Sequence, residues 1–313
     1  MSFLKSNLPI KISVRYVRDI TKRLQNQEFY YRRIEIGPEK ARQRSEFSNW
    51  NYESEIFAFG KRLKENFDIK YLRQAFIDKS YINSNETQDM LNNTELRNYG
   101  FSLSSKYTRA FLIHSFPDLP SEWINQLCNH LLSIHLTAHV SGHLGTKDLI
   151  FYNSDTLDLE TESDVLFAII GALAKSQDEN VAFTFIKDFI LTQLTVFHLC
   201  DVFQVNNAFN LLSGVLLYHE KGAPVPRLLR QSGMNSVFAC YHVGIYSDND
   251  LLGEAAGESL LAAEDMAARH SLLNLFGVSE NRSTIDFEDK FEIDFNKKPS
   301  YSIADYLKCF ENK

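Results

Sequence analysis

The sequence predicts an α+β protein, in which a long all-α domain is followed by a small module of order α-β-β-β-α. Between about residue 50 and residue 200, apolar residues recur three and four positions apart, as they do on one face of a helix. After about residue 205 this pattern gives way to short extended segments separated by turn residues. With 313 residues, 44% of them hydrophobic, the chain is long enough for one large core or two unequal ones.

Helical periodicity gives the elements of the first domain in order. The predicted helices cover residues 52–67, 69–77, 94–114, 122–136, 164–175 and 179–199. Pro117 and Pro120 end the third helix, and Ser121 is a good N-cap for the fourth. No strand pattern interrupts this run, so the domain is expected to be all-α.

The second module is predicted from its turn and cap residues. Its elements are a helix that Asn206 or Asn207 caps, strands over 227–231, 237–246 and 251–254, and a helix over 259–276. Gly222 and Pro224 end the first helix, and Gly277 ends the last. Residues 247–250 supply the turn between the last two strands, because short Asx side chains bond the backbone and tolerate the left-handed conformation. The tail beyond Val278 is polar and expected to be loosely held.

Composition excludes several classes of protein. No apolar run approaches the roughly 18 residues that a membrane span needs, and the richest, 181–199, is interrupted by Lys187 and Asp188. The four cysteines form no CxxC pair, so neither a zinc site nor a disulfide framework is predicted. The four histidines between residues 130 and 143 match no metal-site spacing, and no cofactor is expected.

Basic residues are concentrated at the N-terminus. Residues 1–44 contain eleven Lys or Arg and four Asp or Glu, a balance of +7 that leaves −14 for the rest of the chain. This arm is typical of a mitochondrial presequence followed by a basic tail, which is the preferred interpretation, and also of an RNA-contacting arm. No apolar segment with a small-residue cleavage site argues for secretion. Its candidate phosphate contacts are Arg32, Arg33, Arg42 and Arg44.

Motifs in both parts resemble known families. In the helical part, residues 75–81 (A-F-I-D-K-S-Y), 93–103 and 163–172 resemble ribonuclease III in their order and spacing. The α-β-β-β-α order, with G-E-A-A-G-E-S at 253–259, resembles a double-stranded-RNA-binding domain. Segments 44–52, 192–193, 230–233 and 277–282 are similar, more specifically, to the ribonuclease III-like proteins of the mitochondrial large ribosomal subunit.

This resemblance covers roughly residues 44–283 and implies a domain organisation. The expected parts are a basic arm or targeting segment (1–44), a ribonuclease III-like helical domain (45–203), a double-stranded-RNA-binding-like domain (204–278) and a C-terminal tail (279–313).

The resemblance also implies where a nuclease site would lie. Cleavage of duplex RNA by this family needs clustered carboxylates around Mg²⁺. The corresponding positions here hold Thr94, Arg97, Phe101, Asp164 and Phe167, so one carboxylate survives. Glu95 is one residue out of register, which turns its side chain by about 100° on a helix. Catalysis and metal binding are therefore not expected.

Asp164 is expected to have a structural role. It is placed at a helix N-terminus, which the helix dipole favours, and Thr161 three residues earlier would complete a pair similar to a capping box. Arg97 is expected to neutralise it, since a guanidinium cannot ligate a metal.

The second domain is expected to bind RNA weakly. The lysines that begin the last helix of the usual module correspond to Leu260 and Leu261, and residues 206–277 carry a balance of −3. The two leucines would either face a protein or pack on the helical domain. Local phosphate contacts are assigned to Lys221, Arg227 and Arg230.

Together these features predict a structural component of the mitochondrial large ribosomal subunit, in the mitochondrial matrix, whose partners are ribosomal RNA and other mitochondrial ribosomal proteins. The alternatives are a double-stranded-RNA endoribonuclease and an RNA-processing or assembly factor in mitochondria. Pairing with another ribonuclease III-like chain through the signature helix stays open. Tyr99, Phe101 and Phe111 would serve such a face or the core, and the core is favoured by their helical spacing.

Overall fold

A computed structural model describes residues 45, 47–85, 91–153, 157–197, 202, 203, 205, 207–234, 236–278, 295, 297 and 301–311. The chain separates into two compact units, residues 1–50 and 51–313. Most of the first unit, including all of the predicted arm, lies outside the described residues. Residues 51–313 contain eleven described α-helices and one three-stranded sheet, which confirms the α+β class.

The first part of the larger unit is all helical, as predicted. Its helices are α1 (Tyr52–Arg62), α2 (Ile69–Ala75), α3 (Lys79–Asn85), α4 (Thr94–Ser115), α5 (Ser121–Leu131), α6 (Ile134–Leu144), α7 (Leu159–Ser176) and α8 (Glu179–Phe189), followed by a 3-10 helix (Leu191–Thr195). The prediction for α4 is correct to within one residue. Helix α3 was not predicted.

Helices α4 and α7 form the centre of this part and cross at two glycines. Every residue of α7 from Val165 to Leu173 is buried. A Cβ atom on Gly100 of α4 would lie 1.9 Å from the carbonyl oxygen of Phe167, and one on Gly171 would lie 2.2 Å from the carbonyl oxygen of Leu96. The two backbones are therefore in direct contact, which side chains at these positions would prevent.

Several helix boundaries differ from the predictions. The helix expected over 122–136 is two helices, α5 and α6, because Ser133 has an extended backbone (ψ 147°). Helix α1 ends at Arg62, and Lys64 just beyond it adopts a positive φ of 60°. Helix α8 ends at Phe189 rather than continuing towards residue 199.

Helix α7 begins five residues earlier than predicted, which changes the position of Asp164. The helix starts at Leu159 after Asp158, and Glu160 and Glu162 in its first turn favour the positive end of the helix dipole. Asp164 is its sixth residue and lies inside the helix. The predicted placement of Asp164 at a helix N-terminus, with a capping pair to Thr161, is therefore wrong.

The second part follows the predicted element order. It comprises α9 (Ala208–Tyr218), β1 (Val225–Ser232), β2 (Cys240–Ser247), β3 (Asp250–Gly257) and α10 (Leu260–Leu275). The sheet is antiparallel in the order β1-β2-β3, and α10 packs on one face of it. Asp248 and Asn249 form the predicted turn, both with positive φ (48° and 76°), as a tight hairpin requires. Asn207 and Ser259 cap α9 and α10 with their side chains.

The expectation of a loosely held tail is wrong for residues 301–311. A helix, α11 (Ile303–Glu311), packs against α9, and Tyr306 is fully buried there with its ring 5.2 Å from that of Tyr218. The carboxylate of Glu122 in α5 accepts hydrogen bonds from the hydroxyl of Ser302 and from the backbone N–H of Ile303 (2.9 Å).

Helix α5 contacts both parts of the unit. Its buried Trp123 stacks on Phe203 at 4.4 Å between ring centroids and meets Phe276 edge-on at 5.2 Å. The domain boundaries drawn from the sequence stay predictions. In the ranges that the structure describes, no helix combines the length and apolar character that crossing a membrane requires.

Candidate site at the α4–α7 crossing and candidate RNA interface

Four of the five positions that correspond to acidic residues of a nuclease site meet across α4 and α7. The guanidinium of Arg97 donates from Nε to Oδ1 of Asp164 at 2.8 Å. One turn further along, the rings of Phe101 and Phe167 meet edge-to-face at 5.2 Å. The fifth position, Thr94, is exposed in the first turn of α4. The structure thus fills this place with one ion pair and one aromatic pair.

The ion pair leaves Asp164 poorly suited to hold a cation. Burial raises the pKa of the Asp164 carboxyl, and Glu160 and Asp78 add to the rise. The hydrogen bond and positive charge of Arg97 act in the opposite direction without cancelling it. Arg97 occupies one of the two carboxylate oxygens, and its fixed positive charge would repel a metal ion at the other.

The aromatic pair closes the other side of the site. Phe167 is 3% exposed, whereas Phe101 is 46% exposed and covers it from the solvent side. Mg²⁺ keeps several waters when it binds proteins and needs oxygen ligands in an open site. Two phenyl rings supply neither ligand oxygens nor room for water. Among the described residues, no group of three or more His, Cys, Asp or Glu is placed to hold a metal ion.

The carboxylate of Glu95, one position away from Thr94 along α4, points elsewhere, as its register predicts. Glu95 accepts a hydrogen bond from Nζ of Lys175 at 2.6 Å, near the opposite end of α7 from Asp164. This bond and the lysine charge lower the pKa of Glu95. Glu95 therefore does not substitute for the carboxylates missing beside Asp164.

Sequence reasoning missed Asp78, whose charge reaches Asp164. Asp78 accepts hydrogen bonds from the backbone N–H of Ser80 (2.9 Å) and from its hydroxyl (2.6 Å), so the side chain is held in place. It lies in the 75–81 motif used for the resemblance, and that motif was the only signal in the sequence. Its role here is electrostatic, since it raises the pKa of Asp164.

The aromatic residues of α4 have different environments. Phe111 is buried in the core. Tyr99 donates from its hydroxyl to Glu179 at 2.9 Å, and Phe101 contacts Phe167 while remaining half exposed. Only part of the predicted aromatic face is thus available to a partner.

The predicted RNA contacts of the second part are all exposed. Arg227 and Arg230 pair with Gly244 and His242, two residues apart on β2, so both arginines lie on the same face of the sheet. The guanidinium of Arg227 lies 4.8 Å from the ring centroid of Tyr246. Lys221 is exposed after α9. The arm residues Arg32, Arg33, Arg42 and Arg44 lie outside the described residues.

The two leucines that begin α10 are exposed. Leu261 is 77% exposed, and Leu260 is also open to solvent. Burial against the helical part of the chain, one of the two explanations that the sequence allowed, therefore does not apply. Their exposure leaves the protein-facing explanation in place.

Comparison with known proteins follows the same division of the chain. The family model described as "Large ribosomal subunit protein mL44, endonuclease domain" matches residues 51–173, and that described as "MRPL44 dsRNA-binding domain" matches residues 203–307. The nuclease domain of ribonuclease III from Campylobacter jejuni is 22% identical with a TM-score of 0.41, over 45% of this chain and 99% of that one. Dicer from Pichia stipitis is 19% identical with a TM-score of 0.37, over 66% and 93%.

Two curated relatives carry the same name. Large ribosomal subunit protein mL44 of Caenorhabditis elegans is 27% identical over 310 residues, which are 93% of this chain and 77% of that protein. Large ribosomal subunit protein mL44 of Neurospora crassa is 30% identical over 122 residues, which are 38% of this chain and 27% of that protein. Two successive family models and a relative aligned along nearly the whole chain agree: the chain belongs to the family of large ribosomal subunit protein mL44.

Proposed function

We propose that the chain is a structural, non-catalytic component of the mitochondrial large ribosomal subunit, located in the mitochondrial matrix. The observation that carries the proposal is the contact between Arg97 and Asp164 beside buried Phe167, in a chain of the mL44 family. The fold of a nuclease is retained while the positions that would hold metal ions serve packing and charge neutralisation.

The absence of nuclease activity is part of this proposal. Hydrolysis by this fold would need a metal-bound hydroxide held by several carboxylates. Here one carboxylate remains, its pKa is raised by burial, and its oxygen is bound by a guanidinium. The geometry supports a scaffold in this place rather than a reaction centre.

RNA contact is assigned to dispersed positive charges. The arm of residues 1–44, with its balance of +7, would supply most of the attraction, through Arg32, Arg33, Arg42, Arg44 and their neighbours. Lys221, Arg227 and Arg230 would add contacts to phosphates, since all three are exposed. Such contacts fix position without reading base sequence.

Neighbouring ribosomal proteins would hold the helical part. Pairing with another ribonuclease III-like chain belongs to the same proposal, and half-exposed Phe101 on α4 is the residue that supports it. Light scattering of the purified chain, alone and with such a chain, tests the pairing by molecular mass.

The ribosomal assignment is tested by sedimentation. We expect tagged protein from a mitochondrial lysate to travel with the large subunit, to resist high salt and to be released by nuclease treatment. High-salt resistance is expected because packing against proteins is screened less than exposed charge. Protein that stays in light fractions would overturn the assignment in favour of an assembly or processing factor.

The nuclease alternative needs a separate assay. Purified chain is incubated with duplex RNA and Mg²⁺ or Mn²⁺, beside an active ribonuclease III and beside the Asp164→Asn variant. We expect no cleavage above an EDTA control. Metal-dependent cleavage by the wild type that the Asp164→Asn variant lacks would establish a catalytic role for the remaining carboxylate.

A further inference from the structure

One end of the sheet carries a concentration of exposed apolar side chains. Tyr241, the second residue of β2, pairs with Gly257, the last residue of β3. The described residues between β1 and β2 (233, 234 and 236–239) and the start of α10 therefore lie at the same end of the sheet. The exposed apolar residues there, which we call the apolar end, are Met234, Val237, Phe238, Leu260 and Leu261.

The exposure of these side chains is unusual for large apolar groups. Val237 is 98% exposed and Phe238 is 87% exposed, at neighbouring positions of the turn. Single exposed apolar residues are ordinary on a protein surface, but a contiguous group of them marks an interaction site.

The turn that presents Val237 and Phe238 is held by its own hydrogen bonds. Ser236 donates from its hydroxyl to the carbonyl oxygen of Gly233 at 2.7 Å and accepts from the backbone N–H of Phe238 at 3.2 Å. Gly233 has a φ of +62°, and a Cβ atom there would lie 2.6 Å from the carbonyl oxygen of Phe238. Gly233, Ser236 and Phe238 are thus held in a defined arrangement, which reduces the entropy lost when this part of the turn binds a partner.

The charge around this end disfavours RNA as the partner. No Lys or Arg occurs between Gln231 and Ala268. Of the six Asp or Glu in that stretch, two lie in the β2–β3 turn at the opposite end of the sheet, whereas Glu258 and two residues of the first turns of α10 lie near this end. Arg230, one residue before the stretch, is on the sheet face that points away from α10. Glu258, which precedes the Ser259 cap of α10, is exposed, and Arg269 just beyond the stretch is paired with Asp265 at 2.9 Å. A polyanion would be repelled here, and a partner that offers positive charge at the rim of an apolar pocket would be attracted.

We propose that the apolar end docks into an apolar pocket of a neighbouring protein whose rim carries Lys or Arg opposite Glu258. The inference rests on the proposed ribosomal function and names a contact within it. Phe238 and Val237 enter the pocket, and Leu260 and Leu261 pack beside them.

The proposal is tested by a substitution that would weaken binding to an apolar protein pocket but strengthen binding to RNA. Leu260→Lys/Leu261→Lys adds two positive charges at exposed positions, where folding tolerates them, as an unchanged melting temperature will verify. In cells that also express wild type, we expect the ratio of variant to wild type in the large subunit to fall about tenfold, because lysines are expelled from an apolar, basic-rimmed pocket. A ratio that is unchanged or raised would overturn the proposal, and an increase would indicate RNA.

The nature of the partner is identified by crosslinking. A photoreactive phenylalanine analogue at position 238 is compared with the same analogue at position 57, an exposed phenylalanine on α1. We expect the probe at 238 to give a nuclease-resistant adduct with one protein, identified by mass spectrometry, in which Lys or Arg lies near the adduct. An adduct with RNA, an adduct with a second copy of this chain, or no adduct would overturn the proposal.

Failure of the ribosomal assignment is a separate result. If the chain never enters the large subunit, the proposed function fails, yet a single protein adduct at position 238 in the light fractions still supports docking to a protein. If the chain enters the subunit but the probe marks RNA, the docking proposal alone fails.

Discussion

The α4–α7 crossing and the apolar end have both lost charged residues that the resemblance implies, with opposite results. At the crossing, Arg97 and Phe167 replace acidic residues, and both side chains found partners within the chain. At the apolar end, Leu260 and Leu261 replace lysines and remain in solvent. Where an acidic residue is replaced between two packed helices, the new side chain is paired or packed within the chain. Where a lysine is replaced by leucine on the surface, the apolar side chain stays exposed and only another molecule can cover it.

The closest contact of the crossing can be broken by one methyl group. Gly100→Ala is expected to lower the free energy of unfolding by about 3 kcal/mol or more, because overpacking costs that much where neither side can move. The obstacle is the carbonyl oxygen of Phe167, 1.9 Å from the new Cβ atom. Urea unfolding measures the change.

A matched glycine serves as the control. In α1, a Cβ atom on Gly60 would have a 3.5 Å contact with the side chain of Phe67 as its nearest neighbour. Gly60→Ala should leave stability unchanged or raise it by up to about 1 kcal/mol, since alanine is the better helix former. Equal losses for the two variants would show that the crossing is not the rigid centre of the helical part.

The reactivities of one buried and one exposed cysteine give a second comparison between the interior and the surface. Burial raises the pKa of Cys128 in α5 to about 11, from an ordinary value of 9.0. The thiolate fraction of Cys128 at neutral pH is therefore about a hundredfold below that of a thiol with the ordinary pKa. Cys240, at the start of β2, is exposed. Iodoacetamide should alkylate exposed Cys240 much faster than Cys128, because the Cys128 sulfur is both buried and rarely ionised. Peptide mass spectrometry resolves the two rates, and comparable rates would mean that α5 opens readily.

The smallest effect expected at the crossing comes from its ion pair. Arg97→Ala should lower the free energy of unfolding at pH 7 by about 1 kcal/mol, because the pair is partly exposed. Without Arg97 the pKa of Asp164 rises further above its usual value, so the folded state binds a proton more tightly than the unfolded state. The loss should therefore shrink as the pH falls and Asp164 becomes protonated. Urea unfolding between pH 7 and pH 4 measures it.

Its control is the exposed pair of Lys175 and Glu95. Lys175→Ala removes the partner of a fully exposed carboxylate, so a smaller effect is expected. A loss for Arg97→Ala that grows on acidification would contradict the assignment of Asp164 as its partner.

The sequence predicted best where the signals are local to the element itself. Helix α4 was predicted from apolar spacing and from the prolines that follow it. The turn at Asp248 and Asn249 was predicted from side chains that tolerate positive φ. The start of α7 was missed because its first turn is polar and is stabilised by the helix dipole rather than by apolar contacts.

The candidate site was predicted by position but not by environment. The resemblance to ribonuclease III identified the positions of Arg97 and Asp164, and the separation of Glu95 from them followed from helix geometry. What the sequence could not supply was the effect of residues distant along the chain. The charge of Asp78 and the exposure of Leu261 depend on how elements pack, which periodicity does not contain.

The hydrogen bonds between Glu122 and the start of α11 couple the stability of two segments that lie far apart along the chain. A carboxylate of α5 satisfies the N-terminal amide of Ile303 in a helix that begins 181 residues later, and Trp123 beside it shares its packing with Phe203 and Phe276. Neither helix can open without exposing the other. Amide hydrogens in α5 and α11 should therefore exchange with deuterium through one shared opening event, so these segments form a single cooperative unit that spans the junction of the two folds.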